Sequence, residues 1–165
     1  MGEAGGFEEF YTGAVGRLLG QLFPVTGDLH EAEEVVQEAF ARAAVRWSRL
    51  RDYDVPEAWV RRVAMNLAAD RARSLRRQAR AVLRLSPPPE VPAVSVEALA
   101  LAEALRTLPI RQRQVIVLHH LVDLPVEEVA RTLAMRDGTV KSLLARGRKA
   151  LAAKLGEAEE VLYRT

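Results

Sequence analysis

The stretch LPVEEVARTLAMRDGTVKSLLARGRKAL, residues 124–151, decides the fold of the second half of this chain. After Pro125, a short helix is predicted by the apolar positions Val126, Val129, Ala130 and Leu133. Residues 134–137 predict a turn, and a second helix is predicted over 138–155 with a buried side of Val140, Leu144, Gly147 and Leu151. This spacing is typical of a helix-turn-helix, whose second helix enters the major groove of DNA.

The other side of that second helix is polar and basic, and comprises Lys141, Ser142, Ala145, Arg146 and Lys149. Such side chains can contact base edges, while Arg148 and its neighbours can contact phosphates. A basic surface helix in an ordinary bundle is the alternative reading, since a helix-turn-helix pattern is only moderately specific.

Upstream, the segment SPPPEVP, residues 86–92, cannot continue a helix and favours extended polyproline II. It therefore predicts a linker over 86–94 between two small helical domains, residues 1–85 and 95–165, in an all-α protein. Further helices are predicted in the second domain over 96–105 and 110–121, separated by Pro109.

The first domain begins with an apolar period over 7–23, which predicts a helix ending at Pro24, followed by a turn over 25–27. Asp28 is the expected N-cap of the next helix, whose apolar face is Ala32, Val36, Ala39, Phe40, Ala43 and Trp47. Its opposite face carries the acidic stripe Glu31, Glu34 and Glu38, flanked by Glu33 and Gln37. A solvated surface is the plain reading of this stripe, but its near lack of bases favours a binding face.

A polar loop is predicted over 48–55, and Pro56 then opens a long helix. Its predicted core side is Val60, Val63, Ala64, Leu67, Ala68 and Leu75, and its opposite side is Trp59, Arg62, Asn66, Asp70, Arg73 and Arg77. Arginine can fork to phosphate, asparagine can read a base edge, and Trp59 with Tyr53 can offer stacking faces to unpaired bases. Whether Trp59 stacks on bases or caps the core stays open at this point.

Charge is unevenly distributed, because residues 1–47 hold 8 acids and 3 bases whereas residues 48–85 hold 4 acids and 10 bases.

The absence of cysteine excludes disulfides, thiolate metal sites and a cysteine nucleophile, and fits a reducing cytoplasm. No signal peptide, membrane span or lipidation motif is recognised. His119 and His120 are adjacent and point about 100° apart on a helix, and His30 stands alone. We therefore expect no catalytic residue, no metal and no cofactor, and a cytoplasmic location.

The blocks FEEFYTGAVGRLL (7–19), TGDLHEAEEVVQEAFARA (26–43), PEAWVRRVAMNLAADRAR (56–73), LPIRQRQVIVLHHLVDLPVEEVARTLA (108–134) and GTVKSLLARGRKAL (138–151) occur in the order of a known family. The chain resembles the extracytoplasmic-function (group IV) sigma factors of bacterial RNA polymerase. The resemblance implies that residues 1–85 form region 2, which binds core polymerase and the −10 element, and that residues 95–165 form region 4, which binds the −35 element.

The family pattern also implies residue roles. Core polymerase binding, on the clamp helices of the largest subunit, falls to Glu33, Glu34, Gln37 and Glu38. Capture of the −10 element falls to Tyr53, Trp59, Arg62, Asn66 and Arg73, and −35 recognition to Lys141, Ser142, Ala145, Arg146, Arg148 and Lys149. Expected partners are the polymerase core, including its flap, promoter DNA and an anti-sigma factor.

Two positions depart from the family pattern. Ala134 stands where glycine is usual in the turn, and a left-handed alanine costs about 1 kcal/mol. Leu143 stands where arginine is usual, which predicts one phosphate contact fewer at the −35 element.

The function implied is promoter-specific initiation with help in promoter melting, not enzymatic catalysis. The alternative is a stand-alone helix-turn-helix regulator that binds duplex DNA as a dimer, but it leaves the acidic face and the Trp59 stripe unexplained. A third alternative, a helical interaction protein or enzyme without nucleic acid, has no candidate catalytic group.

Overall fold

A computed structural model of the protein describes residues 3–79 and 94–164, and all regular structure within these ranges is helical. The N-terminal unit, residues 3–79, contains α1 (Glu3–Thr26), α2 (Leu29–Val45), α3 (Trp47–Leu50) and α4 (Pro56–Ala79). The C-terminal unit, residues 94–164, contains α5 (Val96–Arg106), α6 (Ile110–Ile116), a π-helical turn (Val117–Leu121), α7 (Val126–Leu133) and α8 (Asp137–Arg164). The all-α prediction is confirmed. The polyproline prediction for 86–92 lies outside the described residues.

The first helix is longer than predicted, because α1 continues through Pro24 to Thr26. The predicted end at Pro24 was wrong. Proline within a helix loses one hydrogen bond and crowds the carbonyl four residues earlier, here that of Gly20, but Pro24 and its neighbours Phe23 and Val25 are buried, so packing holds the last turn in helical conformation. The helix ends instead at Gly27, whose φ of +72° places it in the left-handed region and whose N–H donates to the Phe23 carbonyl at 2.8 Å.

Helix α2 begins as predicted, since the Asp28 carboxylate accepts the Glu31 N–H at 2.9 Å. The predicted extension of this helix to Trp47 and the predicted loop from Ser48 were both wrong. The chain turns at Arg46, and Trp47 opens the short helix α3. The turn places the Trp47 ring 5.0 Å from the Phe10 ring and 5.5 Å from the Phe7 ring, so aromatic packing against α1 decides the local structure.

Helix α4 begins at Pro56 as predicted and buries Val60, Ala64 and Ala68 on its predicted core side. Val63 and Leu67 are partly buried, but Leu75 is 51% exposed, so its place in the predicted core was wrong. Met65 and Ala69 are fully buried although they lie off the predicted stripe. A second neighbour therefore covers α4, and the contacts of α4 with α6 and α7 identify it as the C-terminal unit.

The helix-turn-helix prediction is confirmed by α7 and α8, which begins one residue earlier than expected at Asp137. Val140 and Leu144 are buried and Leu151 is partly buried, as predicted. Gly147 allows α6 and α8 to approach closely, because a Cβ there would lie 2.9 Å from the Ile116 Cδ1 atom. Ala134 adopts φ +53° and ψ +48°, so the alanine carries the left-handed turn that the sequence analysis expected.

The apolar cores of the two units are continuous among the described residues. Helix α5 packs on α1, and α6 and α7 pack on α4. This packing of one unit on the other did not follow from the linker, which predicts only that two units exist.

Candidate polymerase and nucleic-acid interfaces

The acidic face of α2 is held in place by side chains from α1 and α4. Arg71 of α4 donates to Glu34 at 2.7 Å and to Glu38 at 3.4 Å. The Gln37 amide donates to the Tyr11 hydroxyl at 2.8 Å, and Glu33 is exposed. The four predicted core-binding residues therefore share one surface, and three of them are oriented by neighbours.

The role of Arg71 as the partner of two glutamates was not predicted from the sequence. Partial burial opposes its charge, but the hydrogen bonds and charges of Glu34 and Glu38 together outweigh burial and raise the pKa of the Arg71 guanidinium. Local pairs add to this network, because Arg42 contacts Glu38 at 2.8 Å and His30 contacts Glu34 at 3.2 Å. The acidic face is thus ordered rather than freely solvated.

Glu31, the first acid of the predicted stripe, is half-buried. It lines a cavity with Val25, Arg106 and Arg113, at the junction of the two units. Burial first, and then the nearby Asp28 carboxylate, raise the pKa of Glu31. Glu31 therefore belongs to the junction of the units more than to the exposed acidic face.

A basic and aromatic face lies on α4, away from its buried sides. Arg62, Asn66 and Arg73 are exposed on this face, and Tyr53 in the preceding loop is 52% exposed. Arg73 forms an ion pair with Asp70, one turn earlier. From Trp59 to Arg73 the stripe extends about 21 Å along the helix, so it can follow several nucleotides of a strand.

Trp59 lies at one end of this face and combines the two roles that the sequence left open. Its ring is half-buried against the core, while the Arg46 guanidinium lies 5.8 Å from the ring centroid. Arg42, Val45, Arg46, Trp59 and Val63 line a shallow cleft. Arg46 is the neighbour that sequence reasoning missed, and it is contributed by the turn after α2.

Adjacent arginines on α4 have opposite environments. Arg62 is exposed, whereas the Arg61 side chain is 12% exposed and donates to the Gln21 amide oxygen at 2.9 Å. Burial lowers the pKa of Arg61, and Glu57 partly compensates. Arg61 thus links α4 to α1, and Arg62 faces solvent.

The predicted −35 face is presented by α8. Lys141, Ser142, Ala145, Arg146, Arg148 and Lys149 are all exposed, and the helix period places them within one broad sector opposite Val140 and Leu144. Leu143 is half-buried against the core, so the position that is usually arginine in the family serves packing here. The face therefore presents four cations, Lys141, Arg146, Arg148 and Lys149, beside the two small side chains Ser142 and Ala145.

His120, which the sequence predicts to be an ordinary core or surface histidine, contacts this face. Arg148 Nε donates to His120 Nε2 at 3.0 Å, which requires that nitrogen to be unprotonated. Burial, then Arg148 and His119, lower the pKa of His120, and Asp123 opposes them. The neighbouring His119 Nδ1 lies 2.8 Å from the Leu124 carbonyl oxygen. The histidines thus fix the π-helical turn against the helix-turn-helix and orient Arg148.

Within residues 3–79 and 94–164, no group of three or more His, Asp or Glu side chains is arranged to hold a metal ion. In the same ranges no helix is both long enough and apolar enough to cross a membrane.

An acidic face, a basic and aromatic face and a separate helix-turn-helix on one helical scaffold are the features expected of a factor that links another protein to DNA. The family model described as Sigma-70 region 2 matches residues 10–78, and the model described as Sigma-70, region 4 matches residues 98–151. The chain is 34% identical to the RNA polymerase sigma-E factor of Streptomyces coelicolor, over 88% of this chain and 84% of the relative. The chain belongs to the sigma-70 family, in its extracytoplasmic-function branch.

Other relatives agree. The ECF RNA polymerase sigma factor SigW of Bacillus subtilis is 31% identical over 81% of this chain and 80% of the relative. The solved structure of CnrH in complex with the cytosolic domain of CnrY is 28% identical, has a TM-score of 0.65 and covers 94% of this chain and 91% of its own. A structure of the sigma factor RpoE with the anti-sigma factor NepR from Bartonella quintana, at 21% identity and a TM-score of 0.71, shows the same fold over 91% of this chain and 96% of its own.

The chain is therefore a sigma factor, which partners with RNA polymerase core and promoter DNA and directs transcription initiation. This family assignment favours the sigma reading over a stand-alone helix-turn-helix regulator.

Proposed function

We propose that the acidic face of α2 binds the clamp helices of the largest polymerase subunit through Glu33, Glu34, Gln37 and Glu38. The support is that these side chains are accessible and that Arg71 and Tyr11 orient three of them before binding. Oriented side chains lose less conformational freedom on association, which favours affinity. The excess of acids in residues 1–47 gives this surface the charge that a basic partner requires.

We propose that the α4 face captures the −10 element as a separated strand, through Tyr53, Trp59, Arg62, Asn66 and Arg73. The cleft beside Trp59 supports this, because a half-buried indole ring with Arg46 beside it offers a fixed platform to an unpaired base. Arg62 and Arg73 are then placed for phosphates, and Asn66 for a base edge. When Arg73 binds a phosphate, its ion pair with Asp70 breaks.

We propose that α8 reads the −35 element through Lys141, Ser142, Ala145 and Arg146, with Arg148 and Lys149 on phosphates. Support comes from the exposure of all six side chains and from the contact of His120 with Arg148. Ala145 offers a methyl group that suits a thymine methyl, and Arg146 can fork to guanine.

We further propose the residue limits 1–85 for region 2, 86–94 for the linker and 95–165 for region 4. We also propose that the chain acts in the cytoplasm and has no catalytic activity of its own, because the members of its family are initiation factors. An anti-sigma factor is a candidate further partner, in line with the complexes in which the related CnrH and RpoE were solved.

The observation that carries the proposal is that three exposed surfaces lie on three different helices. The surface on α2 is acidic, that on α4 is basic and aromatic, and that on α8 is basic. The test of this proposal is run-off transcription by purified core polymerase with this chain, on a library of promoter fragments at stated salt. Arg146→Ala should reduce transcription from −35-dependent promoters by about 5- to 150-fold and leave core binding unchanged. Glu38→Lys should weaken core binding, and Glu97→Lys, an exposed acid on α5, is its control. Stable complexes with unchanged promoter choice in Arg146→Ala would refute the −35 assignment.

A further inference from the structure

His120 contacts the basic face of α8 from outside the helix-turn-helix. It belongs to the π-helical turn (Val117–Leu121), which packs on α7, and its Nε2 atom accepts a hydrogen bond from Arg148 Nε at 3.0 Å. Because an imidazole nitrogen that accepts a hydrogen bond carries no proton, the contact requires His120 to be neutral, with its proton on Nδ1. The two residues are 28 positions apart, so the fold and not the local sequence brings them together.

Arg148 lies at the edge of the basic face. At about 100° per residue it is aligned with Lys141 and Ala145 along one side of this face, and the buried Leu144 follows on its other side. When a recognition helix lies in the major groove, residues at the edges of its exposed face approach the phosphates that border the groove. The position of Arg148 therefore suits a phosphate contact.

The hydrogen bond to His120 orients the Arg148 guanidinium. Arginine carries five N–H groups in a planar fork, one on Nε and four on the two Nη atoms. His120 accepts the Nε–H, and no other hydrogen bond or ion pair of Arg148 occurs among the described residues. The Nη–H groups stay available at the end of the guanidinium, where a phosphate can accept two hydrogen bonds at once. A side chain held in this way loses less conformational freedom when it binds.

The protonation of His120 depends on its surroundings. Burial lowers the pKa of His120 most, Arg148 of α8 and His119 of the same turn lower it further, and Asp123 just after the turn opposes them. Helices α1, α6 and α7 also contact the turn, but no charged group on their described residues shifts this pKa. His120 is therefore neutral at neutral pH and takes up a proton only below the ordinary histidine range.

Asp123 gives protonated His120 a different partner. Its backbone has a φ of +60°, a left-handed conformation that is uncommon for a residue other than glycine, and its carboxylate is near enough to raise the pKa of His120. Once protonated, His120 can no longer accept from Arg148, repels the guanidinium and is attracted to Asp123. The two protonation states of His120 thus favour different neighbours.

We propose that His120 is a positioning residue for the phosphate contact of Arg148 at the −35 element, and that a proton on His120 releases Arg148 from this orientation. The inference rests on the proposed −35 role of α8. It goes beyond that role because it assigns DNA binding to a residue outside the helix-turn-helix and makes the contribution depend on pH. The charge of Arg148 does not titrate, whereas its orientation does.

The contact is tested in the free chain by ¹⁵N NMR of the histidine rings. Neutral His120 should carry its proton on Nδ1, and Arg148→Ala should raise the pKa of His120 and change the ratio of its tautomers, because the donor and its charge are removed. Asp123→Asn should lower the pKa of His120, since the carboxylate is lost and the side-chain shape is kept. Lys149→Ala is the matched control and should leave the tautomer unchanged. No change of tautomer or pKa in Arg148→Ala would overturn the contact.

The consequence for DNA is measured with the complex of this chain and core polymerase, as its affinity for a promoter with both elements. At about pH 8, His120→Ala should weaken binding by about two- to tenfold, because the hydrogen bond that orients Arg148 is lost. In the Arg148→Ala background the same change should have no effect, because His120 acts through Arg148. The ratio of the two effects should be about two- to tenfold for this pair and about 1 when Lys149→Ala replaces Arg148→Ala.

A second pH separates the orientation of Arg148 from charge. About one unit below the pKa that NMR gives for His120, most molecules are protonated, and the ratio for His120 with Arg148 should fall to about 1 or lower. Direct attraction of protonated His120 to DNA acts in both backgrounds and cancels in the ratio. His120→Gln should bind more tightly than His120→Ala by the same factor at both pH values, because its amide oxygen accepts the hydrogen bond and does not titrate.

The outcomes distinguish the inference from the proposed function. If Arg148→Ala weakens binding but the ratio is about 1 at about pH 8, with circular dichroism showing intact helices, His120 does not act through Arg148. A ratio that is the same at both pH values would overturn the dependence on protonation. If Arg148→Ala binds as the wild type does, or if the wild type does not depend on the −35 element, the proposed −35 interface fails and this inference fails with it.

Discussion

Replacing Ala134 with glycine should stabilise the protein. Ala134 joins α7 to α8 with φ +53° and ψ +48°, and the Met135 N–H donates to the Ala130 carbonyl at 2.9 Å, so the left-handed turn is held by its own hydrogen bonds. A non-glycine residue in this conformation costs about 1–2 kcal/mol. Glycine costs about 0.4–1 kcal/mol more than alanine through the greater freedom of the unfolded chain. Since Ala134 is exposed and its methyl group packs little, the net gain should be about 0.5–1 kcal/mol.

Thermal unfolding followed by circular dichroism measures this gain. For a chain of this size, each kcal/mol moves Tm by about 2–4 °C, so Ala134→Gly should raise Tm by about 1–4 °C. Ala100→Gly is the matched control, because Ala100 is exposed within the helix α5. The same chemical change there should destabilise by about 1 kcal/mol, since a helix interior disfavours glycine. If Ala134→Gly lowers Tm as Ala100→Gly does, the turn is not strained and the reasoning fails.

Three further substitutions test the local energetics. Asp28→Ala should destabilise the protein by about 1 kcal/mol in urea unfolding because α2 loses its N-cap, whereas Asp28→Asn should change little. Glu31→Gln should stabilise the protein by less than about 1 kcal/mol at neutral pH. Because the folded pKa of Glu31 is raised, its ionisation costs stability as pH rises through the folded value, so the advantage of glutamine should vanish in thermal scans at pH values below the usual glutamate range. Gly147→Ala should destabilise by about 1–2 kcal/mol in urea unfolding, since overpacking against Ile116 outweighs the better helix propensity of alanine; unchanged stability would mean that Ile116 moves freely.

Features that depend on neighbouring residues in the sequence could be predicted. The Asp28 cap, the start of α4 at Pro56 and the helix-turn-helix each follow from residues within one or two turns, and the structure has all three. Ala134 was expected in a left-handed turn because the motif fixes the backbone there, and the alanine does adopt it. The ends of helices were predicted less well from the local sequence. At Pro24 and Trp47 the chain can either continue the helix or leave it, and packing decides between these two backbone conformations.

Features that depend on distant parts of the chain could not be predicted. The exposed positions of the candidate surfaces followed from helical periodicity, but their partners did not, since Arg71, Tyr11 and His120 lie 26 or more residues from the side chains they contact. The helical period of α4 predicted that Leu75 lies in the core. Leu75 is instead 51% exposed, because no described helix covers it. The sequence did contain a signal for a second buried side of α4. Met65 and Ala69 are small or apolar, and they extend the apolar stripe around this helix.

The angular order of residues on α4 explains how this helix packs on both units and still exposes Arg62 and Asn66. Taking Val60 as the origin, the period of about 100° per residue places Ala64 and Ala68 within about 80° of it, toward α1 and α2. Met65 and Ala69 follow at about 140–180°, where the C-terminal unit packs, and Arg62 and Asn66 follow at about 200–240°, in solvent.

One helix thus contributes to the core of the N-terminal unit, to the packing of the C-terminal unit and to an exposed basic face in three adjacent sectors. Small residues in the first two sectors let helices approach from both directions without covering the third. Because the second sector borders the exposed sector, the packing of the C-terminal unit brings Arg111 close to Arg73 while leaving Arg62 and Asn66 exposed.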